Sequence, residues 1–276
     1  MSDAGLREGA AASYRRPYRV RFDEAGPDGL LRSSGLMRYA QDVARRHSDA
    51  LGFDRAWYAE RAVAWLARAA ELELLAPIPL GCDLEMMTTV VGFRRVWARR
   101  RTEARTAGAL VAVVEMDWVF VDRRGEPTRI PPELERAFPG AGGSLQRLRV
   151  DLPAAPPTTA RRAFRVRPHE LDPNNHVNAA AYLDWLEESV LDAVAGGVGP
   201  GGVDPRDAAP GNLEPRGVGP GADALSAIPR RYRLEYAAAA GPAAGIVAES
   251  WSDGAGWSHR LALAGGAEVL RSRLEA

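Results

Sequence analysis

The sequence predicts an α+β fold in which two copies of one unit each wrap a curved antiparallel sheet around a long helix. Three observations lead to this prediction. An internal repeat relates the two halves of the chain, each half holds one amphipathic stretch of helical length, and several strand-like runs follow each stretch. A helix followed by an antiparallel meander can bury its apolar face against the sheet.

The internal repeat aligns residues 18–42, YRVRFDEAGPDGLLRSSGLMRYAQD, with residues 164–188, FRVRPHELDPNNHVNAAAYLDWLEE, without a gap. An Arg-Val-Arg run, a glutamate and a proline recur in register. Aromatic residues also match, since Tyr18 and Tyr39 fall on Phe164 and Trp185. A repeat of roughly half the chain length indicates two copies of one fold.

In the first copy, a short alternating strand and a Pro-containing turn lead to a helix. We predict that this helix follows Ser33 or Ser34, both good N-caps, and runs to about Ala50 before Gly52. Strand-like runs follow at 71–75, 84–93, 96–105 and 110–122. The first domain is therefore predicted to span residues 14–138.

In the second copy, Asn178 is the predicted N-cap of a helix that ends by Gly196. Strand-like runs follow at 231–237, 245–251, 257–264 and 267–275. The second domain is predicted to span residues 161–276, after a linker at 139–160 that is rich in Pro, Gly and Ala. Residues 196–222 are also rich in Gly and Pro, and this composition favours a disordered loop over a flexible cover.

Composition narrows the classes of protein that the sequence can encode. The chain has 276 residues, and its formal net charge of +0 argues against general nucleic-acid binding. It contains no apolar run long enough to span a membrane and no apolar N-terminal segment, so we expect no membrane span and no signal peptide. The single cysteine, Cys82, cannot form an internal disulfide, which suits a cytoplasmic protein.

Polar residues crowd into the run 171–178, LDPNNHVN, just before the second helix. In the repeat, Asp172, Asn174 and His176 fall on Gly26, Asp28 and Leu30, so the first copy makes a turn without them. We interpret them as a site present in one copy, and turn and cap roles are the alternative. An extended segment would project Asp172, Asn174 and His176 to one side, near the free amides of the helix start. Such a set suits hydrolysis of an acyl group, because His or Asp can activate water, Asn can orient it and the amides can stabilise an oxyanion.

The spacing of these residues resembles a motif of the plant and bacterial acyl-[acyl-carrier-protein] thioesterases. The motif positions are Leu171, Asp172, Asn174, His176, Val177, Asn178, Tyr182, Trp185, Glu188 and Ser189. The runs 41–53, 64–86 and 115–125 are similar to the first helix and central strands of that family. The resemblance implies two fused hotdog domains with an acyl-chain pocket in the N-terminal domain and catalysis in the C-terminal one. It also implies release of free fatty acid from acyl carrier protein during fatty acid biosynthesis, with no cofactor.

By the same resemblance, Asp172, Asn174 and His176 are the catalytic residues, and His176 is held by Asp172 or Asn174. Asn178 and Glu188 support the site, and a helix-surface salt bridge is the alternative for Glu188. One position departs from the family. A catalytic glutamate follows an L-E-Y run there, whereas LEYAAAAG at 234–241 places Ala239 at that position. Glu235 shares that strand face but lies about 13 Å away, so it is a poor substitute.

Several alternatives stay open from the sequence. Ala239 favours a non-catalytic double hotdog that binds acyl carrier protein or an acyl chain, and an acyl-CoA thioesterase would use the same chemistry. A double-hotdog dehydratase would need a His and Asp pair in a different arrangement. The oligomeric state is open between a monomer and a homodimer. No Cys/His cluster has metal-ligand spacing, so we predict no metal site.

Arginines, large apolar residues and histidines outside the polar run have functional or structural interpretations. An arginine cluster on two adjacent strands is either a solvated face or a landing site for an acidic carrier protein. Two methionines and two tryptophans could line an acyl tunnel or pack in the core. His47 is predicted on the helix surface or in the core, and His169 and His259 in solvent. The cluster comprises Arg94, Arg95, Arg99, Arg100, Arg101 and Arg105, and the tunnel candidates are Met86, Met87, Trp65 and Trp97.

Overall fold

The computed structural model describes residues 12–138, 141, 145–194, 224–254 and 256–276. The chain divides into two compact units, Met1–Arg149 and Val150–Ala276, and this division falls inside the predicted linker. The predicted disordered loop, 196–222, lies outside the described residues. Within the described ranges, no helix combines the length and the apolar character that a membrane span requires.

The first unit packs one long helix against an antiparallel sheet. Its strands run in the spatial order β1-β3-β4-β5-β2, and helix α1 contacts β1, β3 and β4. The strands follow the predicted runs, except that β2 begins eight residues before the predicted one. The elements are β1 (Ser13–Arg19), α1 (Ser33–Ala50), α2 (Arg55–Arg61), β2 (Val63–Leu74), β3 (Asp83–Arg94), β4 (Trp97–Thr106), β5 (Ala109–Asp122) and α3 (Pro132–Arg136).

The second unit repeats this arrangement with shorter strands. Its antiparallel sheet has the order β7-β10-β9-β8-β6, and helix α4 packs on β6 and β8. The predicted strands of this half are confirmed, and no strand end shifts by more than one residue. The elements are β6 (Ala160–Arg165), α4 (Ala181–Val194), β7 (Arg230–Tyr236), β8 (Gly245–Ser252), β9 (Trp257–Leu263) and β10 (Glu268–Glu275).

Equivalent hydrogen bonds confirm the repeat at the level of single contacts. Each unit has a 3-10 turn that ends in a glutamate, Glu24 or Glu170, and each glutamate accepts from the backbone N–H three residues earlier. The same glutamate also accepts from an aromatic residue of the following helix. The Tyr39 hydroxyl donates to Glu24, and the Trp185 indole N–H donates to Glu170 at 3.0 Å.

The predicted N-cap is wrong for the first helix. α1 begins at Ser33 after Arg32, and no side chain caps it. Ser34 lies inside the first turn, where its hydroxyl accepts from the Arg38 guanidinium at 3.0 Å. In the second unit Asn178 does cap an amide, since its Oδ1 accepts from the N–H of Ala180 at 2.9 Å.

A buried polar row crosses the sheet of the second unit. His259 of β9 lies opposite Ser250 of β8 and Ser272 of β10, and all three are fully or almost fully buried. The imidazole Nδ1 is 2.8 Å from Ser250 Oγ, whereas Nε2 and Ser272 Oγ have no hydrogen-bond partner in the described part of the chain. The prediction that His259 faces solvent is therefore wrong, because its position belongs to the inner face of β9. Burial lowers the pKa of His259 to about 3.

His259 is expected to destabilise the protein in acid. Its pKa of about 3 in the folded state lies below the ordinary 6.5, so the unfolded chain binds a proton first as the pH falls. The free energy of unfolding should be constant above that ordinary pKa and should fall progressively below it. Urea denaturation between about pH 4.5 and 7 should show a smaller fall for His259→Gln than for the wild type.

The exposed His169 supplies the control for this prediction. His169→Gln should leave the pH dependence of unfolding close to that of the wild type. Equal pH dependence in the wild type and His259→Gln would show that His259 is not the group that titrates.

Candidate active site

The predicted site residues lie in a tight turn just before α4. The N–H of Asp172 donates to the carbonyl of His176 at 2.7 Å, and Leu171 pairs with Val177 in an antiparallel bridge. Asn175 has a φ of 63°, which asparagine tolerates better than most residues. The segment is therefore not extended, and the predicted projection of three alternating side chains to one side is wrong. Asp172 and His176 come together because the chain folds back on itself.

The first unit makes the same turn with different side chains. The N–H of Gly26 donates to the carbonyl of Leu30 at 2.8 Å, Gly29 has a φ of 73°, and Ala25 pairs with Leu31. Each of these contacts matches one in the second unit under the sequence alignment. The turn itself therefore requires neither a histidine nor an asparagine.

Asp172 and Asn178 both have structural roles in the turn. Asp172 Oδ1 accepts from the N–H groups of Asn174 at 2.8 Å and His176 at 3.2 Å. In the first unit Asp28 does similar work, since its Oδ1 accepts from the N–H of Leu30 at 3.0 Å. The turn and cap interpretation therefore holds for these two residues.

Asn174 and His176 have no such role. The Asn174 side chain is exposed and makes no hydrogen bond within the described residues. The imidazole of His176 is partly buried, and its buried Nδ1 has no hydrogen-bond partner there. Asp172 therefore holds the backbone of His176 and not its ring, contrary to the prediction. A buried nitrogen without a partner is costly, so this atom is ready to bond a water or a substrate group.

Two tyrosines hold the segment after β7 against this turn. The N–H of Val177 donates to the carbonyl of Ala240 at 3.0 Å, and the Tyr182 hydroxyl hydrogen-bonds to the backbone of Ala240. The Tyr236 hydroxyl donates to the carbonyl of Ala179 at 3.2 Å. Burial raises the pKa of Tyr182 to about 12, so this hydroxyl stays protonated. Sequence reasoning missed Tyr236, although its place in the L-E-Y run beside position 239 was a usable signal.

Position 239 lies beside the turn, although it carries no carboxylate. Ala239 is exposed and precedes Ala240, whose carbonyl contacts the residue after His176. Glu235 does not replace the missing group, because its carboxylate accepts from the N–H of Val150 at 3.1 Å. Glu235 therefore does not compensate for the carboxylate that the family motif has at position 239.

Glu188 makes a salt bridge on the face of α4. Its carboxylate accepts from the guanidinium of Arg162 on β6, which also pairs with Asp192. At the rise of an α-helix, Glu188 lies about 10 Å along the axis from Ala181. This placement favours the salt-bridge alternative over direct support of the turn.

The backbone amides before α4 are mostly occupied. Those of Val177, Asn178, Ala180 and Ala181 donate to groups of the chain itself. The N–H of Ala179 has no acceptor within the described residues. In the same ranges no group of His, Cys, Asp or Glu side chains is arranged to hold a metal ion.

The arginine cluster of the first unit divides into separate groups. Three members form ion pairs on the outer face of the sheet, which fits the solvated-face interpretation. Arg100 instead contacts His47 Nδ1 and Ser48 Oγ, both at 3.1 Å, with its guanidinium carbon 5.0 Å from the Phe138 ring centroid. Burial lowers the pKa of Arg100 to about 10. The paired members are Arg99 with Asp117, Arg101 with Glu115 and Glu103, and Arg105 with Glu103.

The four tunnel candidates do not lie together. Met86 is fully buried, and Trp65 packs on Phe120 with 4.8 Å between ring centroids. Met87 follows Met86 on an alternating strand and so points to the other face. Trp97 lies beneath the guanidinium of Arg147, 4.4 Å from its ring centroid.

The sequence matches models of one family in both halves of the chain. Residues 11–138 match the acyl-ACP thioesterase N-terminal domain, and residues 155–195 match the acyl-ACP thioesterase C-terminal domain. Together these matches cover more than half of the chain. The chain belongs to the acyl-ACP thioesterase family.

A plant member of the thioesterase family resembles this chain in sequence. Acyl-[acyl-carrier-protein] hydrolase FATB2, chloroplastic, of Cuphea viscosissima is 23% identical over 195 residues, which are 64% of this chain and 47% of that protein. The chain thus spans about half the length of this curated relative.

Two solved structures resemble the chain over nearly its whole length. One, described as an oleoyl thioesterase from Lactobacillus plantarum, has a TM-score of 0.76, 19% identity and 97% coverage of both chains. The 12:0-ACP thioesterase from Umbellularia californica has a TM-score of 0.72 and 20% identity, covering 95% of this chain and 96% of its own. At these identities the likeness shows the fold, which is of the hotdog type.

Replacing Asp172 with alanine is expected to weaken the turn before α4. Two backbone N–H groups lose their acceptor, so the free energy of unfolding should fall by about 1–2 kcal/mol. Urea denaturation measures this change. His176→Ala is the matched control, because its side chain makes no hydrogen bond with the described residues, and it should cost clearly less. Equal losses in both variants would contradict the structural role of Asp172.

Proposed function

We propose that the chain hydrolyses the thioester of a fatty acyl group carried by acyl carrier protein and releases the free fatty acid. The observation that carries this proposal is the buried Nδ1 of His176, which has no hydrogen-bond partner among the described residues, in a turn where the first unit has Leu30. The scaffold is otherwise shared, so the second unit differs at the position where chemistry is needed. Family membership supplies the substrate class.

We also propose a role for each domain and a subcellular location. The two units are two fused hotdog domains, with the acyl chain bound by the first and catalysis carried out by the second. The reaction belongs to fatty acid biosynthesis in the cytoplasm, where a chain with the single cysteine Cys82 needs no disulfide.

In the proposed reaction, His176 takes a proton from water as the water oxygen attacks the thioester carbonyl carbon. The N–H of Ala179, which has no acceptor in the described part of the chain, donates to the oxyanion that forms. The carbon–sulfur bond then breaks, and the sulfur leaves as a thiol with the proton that His176 returns. Asp172 acts through the turn by fixing the backbone of His176, and the exposed Asn174 side chain is available to orient water. This chemistry requires no cofactor.

Ala239 favours a second candidate function. A side chain without a carboxylate, at the position of the family glutamate, fits a protein that binds an acyl carrier or an acyl chain without turning it over. An acyl-CoA thioesterase would use the same residues on a different thiol. Assays on acyl-carrier and acyl-CoA thioesters separate these candidates.

Replacing His176 with alanine should reduce hydrolysis of acyl-carrier thioesters by about 100- to 10,000-fold, because the general base is lost. Leu30→Ala, at the equivalent position of the first unit, is the matched control. Leu30→Ala should lower the melting temperature, because it loosens packing, and should leave the rate constant of hydrolysis close to that of the wild type. A His176→Ala variant that retains most of its activity would exclude this residue as the base.

Introducing the family carboxylate by Ala239→Glu should raise kcat, on the order of tenfold or more, since a positioned carboxylate can orient the imidazole or the water. Ala238→Glu is the control, because Ala238 is also exposed but lies one residue earlier. A wild-type protein inert toward all acyl-carrier and CoA thioesters, with Ala239→Glu no better, would establish the non-catalytic alternative.

A further inference from the structure

A cavity of about 440 Å³ opens on the first unit, and none of the residues used in the proposed reaction lines it. The β3–β4 turn forms one side, and the segment 145–149 forms the other. Its charged lining residues are Arg94, Arg95, Arg147, Arg149 and Asp117. We call this cavity the arginine pocket.

The one carboxylate that lines the arginine pocket is already neutralised. Asp117 accepts two hydrogen bonds from Arg99, at 2.6 and 2.9 Å, and a third from the N–H of Leu148 at 3.1 Å. The four lining arginines, by contrast, form no ion pair with any residue that the structure describes. The pocket therefore presents uncompensated positive charge and attracts anions.

The backbone of the β3–β4 turn is strained at one of these arginines. Arg95 has a φ of 54°, in the left-handed region that favours glycine, and its carbonyl accepts from the N–H of Ile130 at 2.9 Å. In the corresponding β8–β9 turn of the second unit, the described residue with a left-handed φ is a glycine, Gly254, at 80°. The first unit thus keeps a cation where backbone geometry prefers glycine, and such strain is common at binding sites.

The chemistry of the pocket fits an acidic protein surface better than a nucleotide. Arg94, Arg95, Arg147 and Arg149 are all exposed, and they stand on two separate segments. Separate guanidinium groups can each bind one of several separate carboxylates in a bidentate way. An adenine would need an open aromatic face, whereas Arg147 already covers one face of Trp97 at 4.4 Å.

We propose that the arginine pocket is the surface on which an acidic acyl carrier protein docks. This inference rests on the proposed function for its choice of partner. Arg94, Arg95 and Arg149 bind carboxylates of the carrier, and Arg147 is held in place by Trp97.

The test measures binding of acyl carrier protein that bears unacylated phosphopantetheine, with the full chain. The triple variant Arg94→Gln, Arg95→Gly and Arg149→Gln removes three charges, and glycine suits the positive φ of position 95. Its Kd should rise roughly tenfold or more, and its affinity should depend less on salt than that of the wild type. The ratio of kcat/KM for acyl-carrier over acyl-pantetheine should fall by a similar factor.

Arg55→Gln is the matched control for this test. Arg55 is an exposed arginine of α2 that forms no ion pair with any described residue, and its loss should leave the Kd within about twofold of wild type. If the triple variant melts early, Arg149→Gln alone should still raise the Kd about threefold.

Two results would overturn the docking proposal. One is a triple variant that binds the carrier as tightly as the wild type. The other is a variant that loses affinity for CoA but not for the carrier, which would make the pocket a nucleotide site. Binding of the unacylated carrier requires no hydrolysis, so a chain inert in every thioester assay would contradict the proposed function and leave this test intact.

Discussion

Each unit depends on one glutamate that ties the end of its first strand to its long helix. In the second unit, Glu170 accepts from the N–H of Arg167 at 2.7 Å and from the indole of Trp185 at 3.0 Å. Its carbonyl accepts from the N–H of Asn178 at 2.8 Å. One residue thus fixes the strand end, the approach to the helix and an aromatic ring on the helix. Glu24 does the same in the first unit. In both units, the two ends of the turn between the first strand and the long helix are therefore fixed.

This constraint explains how one scaffold can carry chemistry in one copy only. The turn closes through backbone bonds and through one aspartate, at position 28 or 172. The position of His176 is therefore free to vary without loss of the turn, and the side chain of Asn174 adds no hydrogen bond to the turn among the described residues. Leu30 shows that an apolar side chain is accepted where the second unit has a histidine. The site is an addition to the scaffold and not a requirement of it.

Arginine has three different roles in the first unit, although the sequence shows one cluster. On the outer face of the sheet, arginine side chains form ion pairs with carboxylates. At the inner face, Arg100 stays charged at neutral pH with a pKa of about 10, so the Nδ1 of His47 that it contacts must accept its hydrogen bond. At the turn and the 145–149 segment, arginines have no carboxylate partner among the described residues. Because the chain contains no lysine, arginine fills all three of these roles.

The sequence by itself determined the repeat, the two long helices, most of the strands and the position of the polar turn. The helices, the strands and the turn are encoded in local periodicity and in a motif within a short window, and the repeat is found by aligning two such windows. Tertiary structure decided the shape of the turn, the burial of His259 and the roles of the arginines. The shape of the turn depends on bonds between distant segments, such as Val177 with Ala240. The face that a strand residue takes depends on its neighbours in the sheet, and a chain read one residue at a time does not specify them.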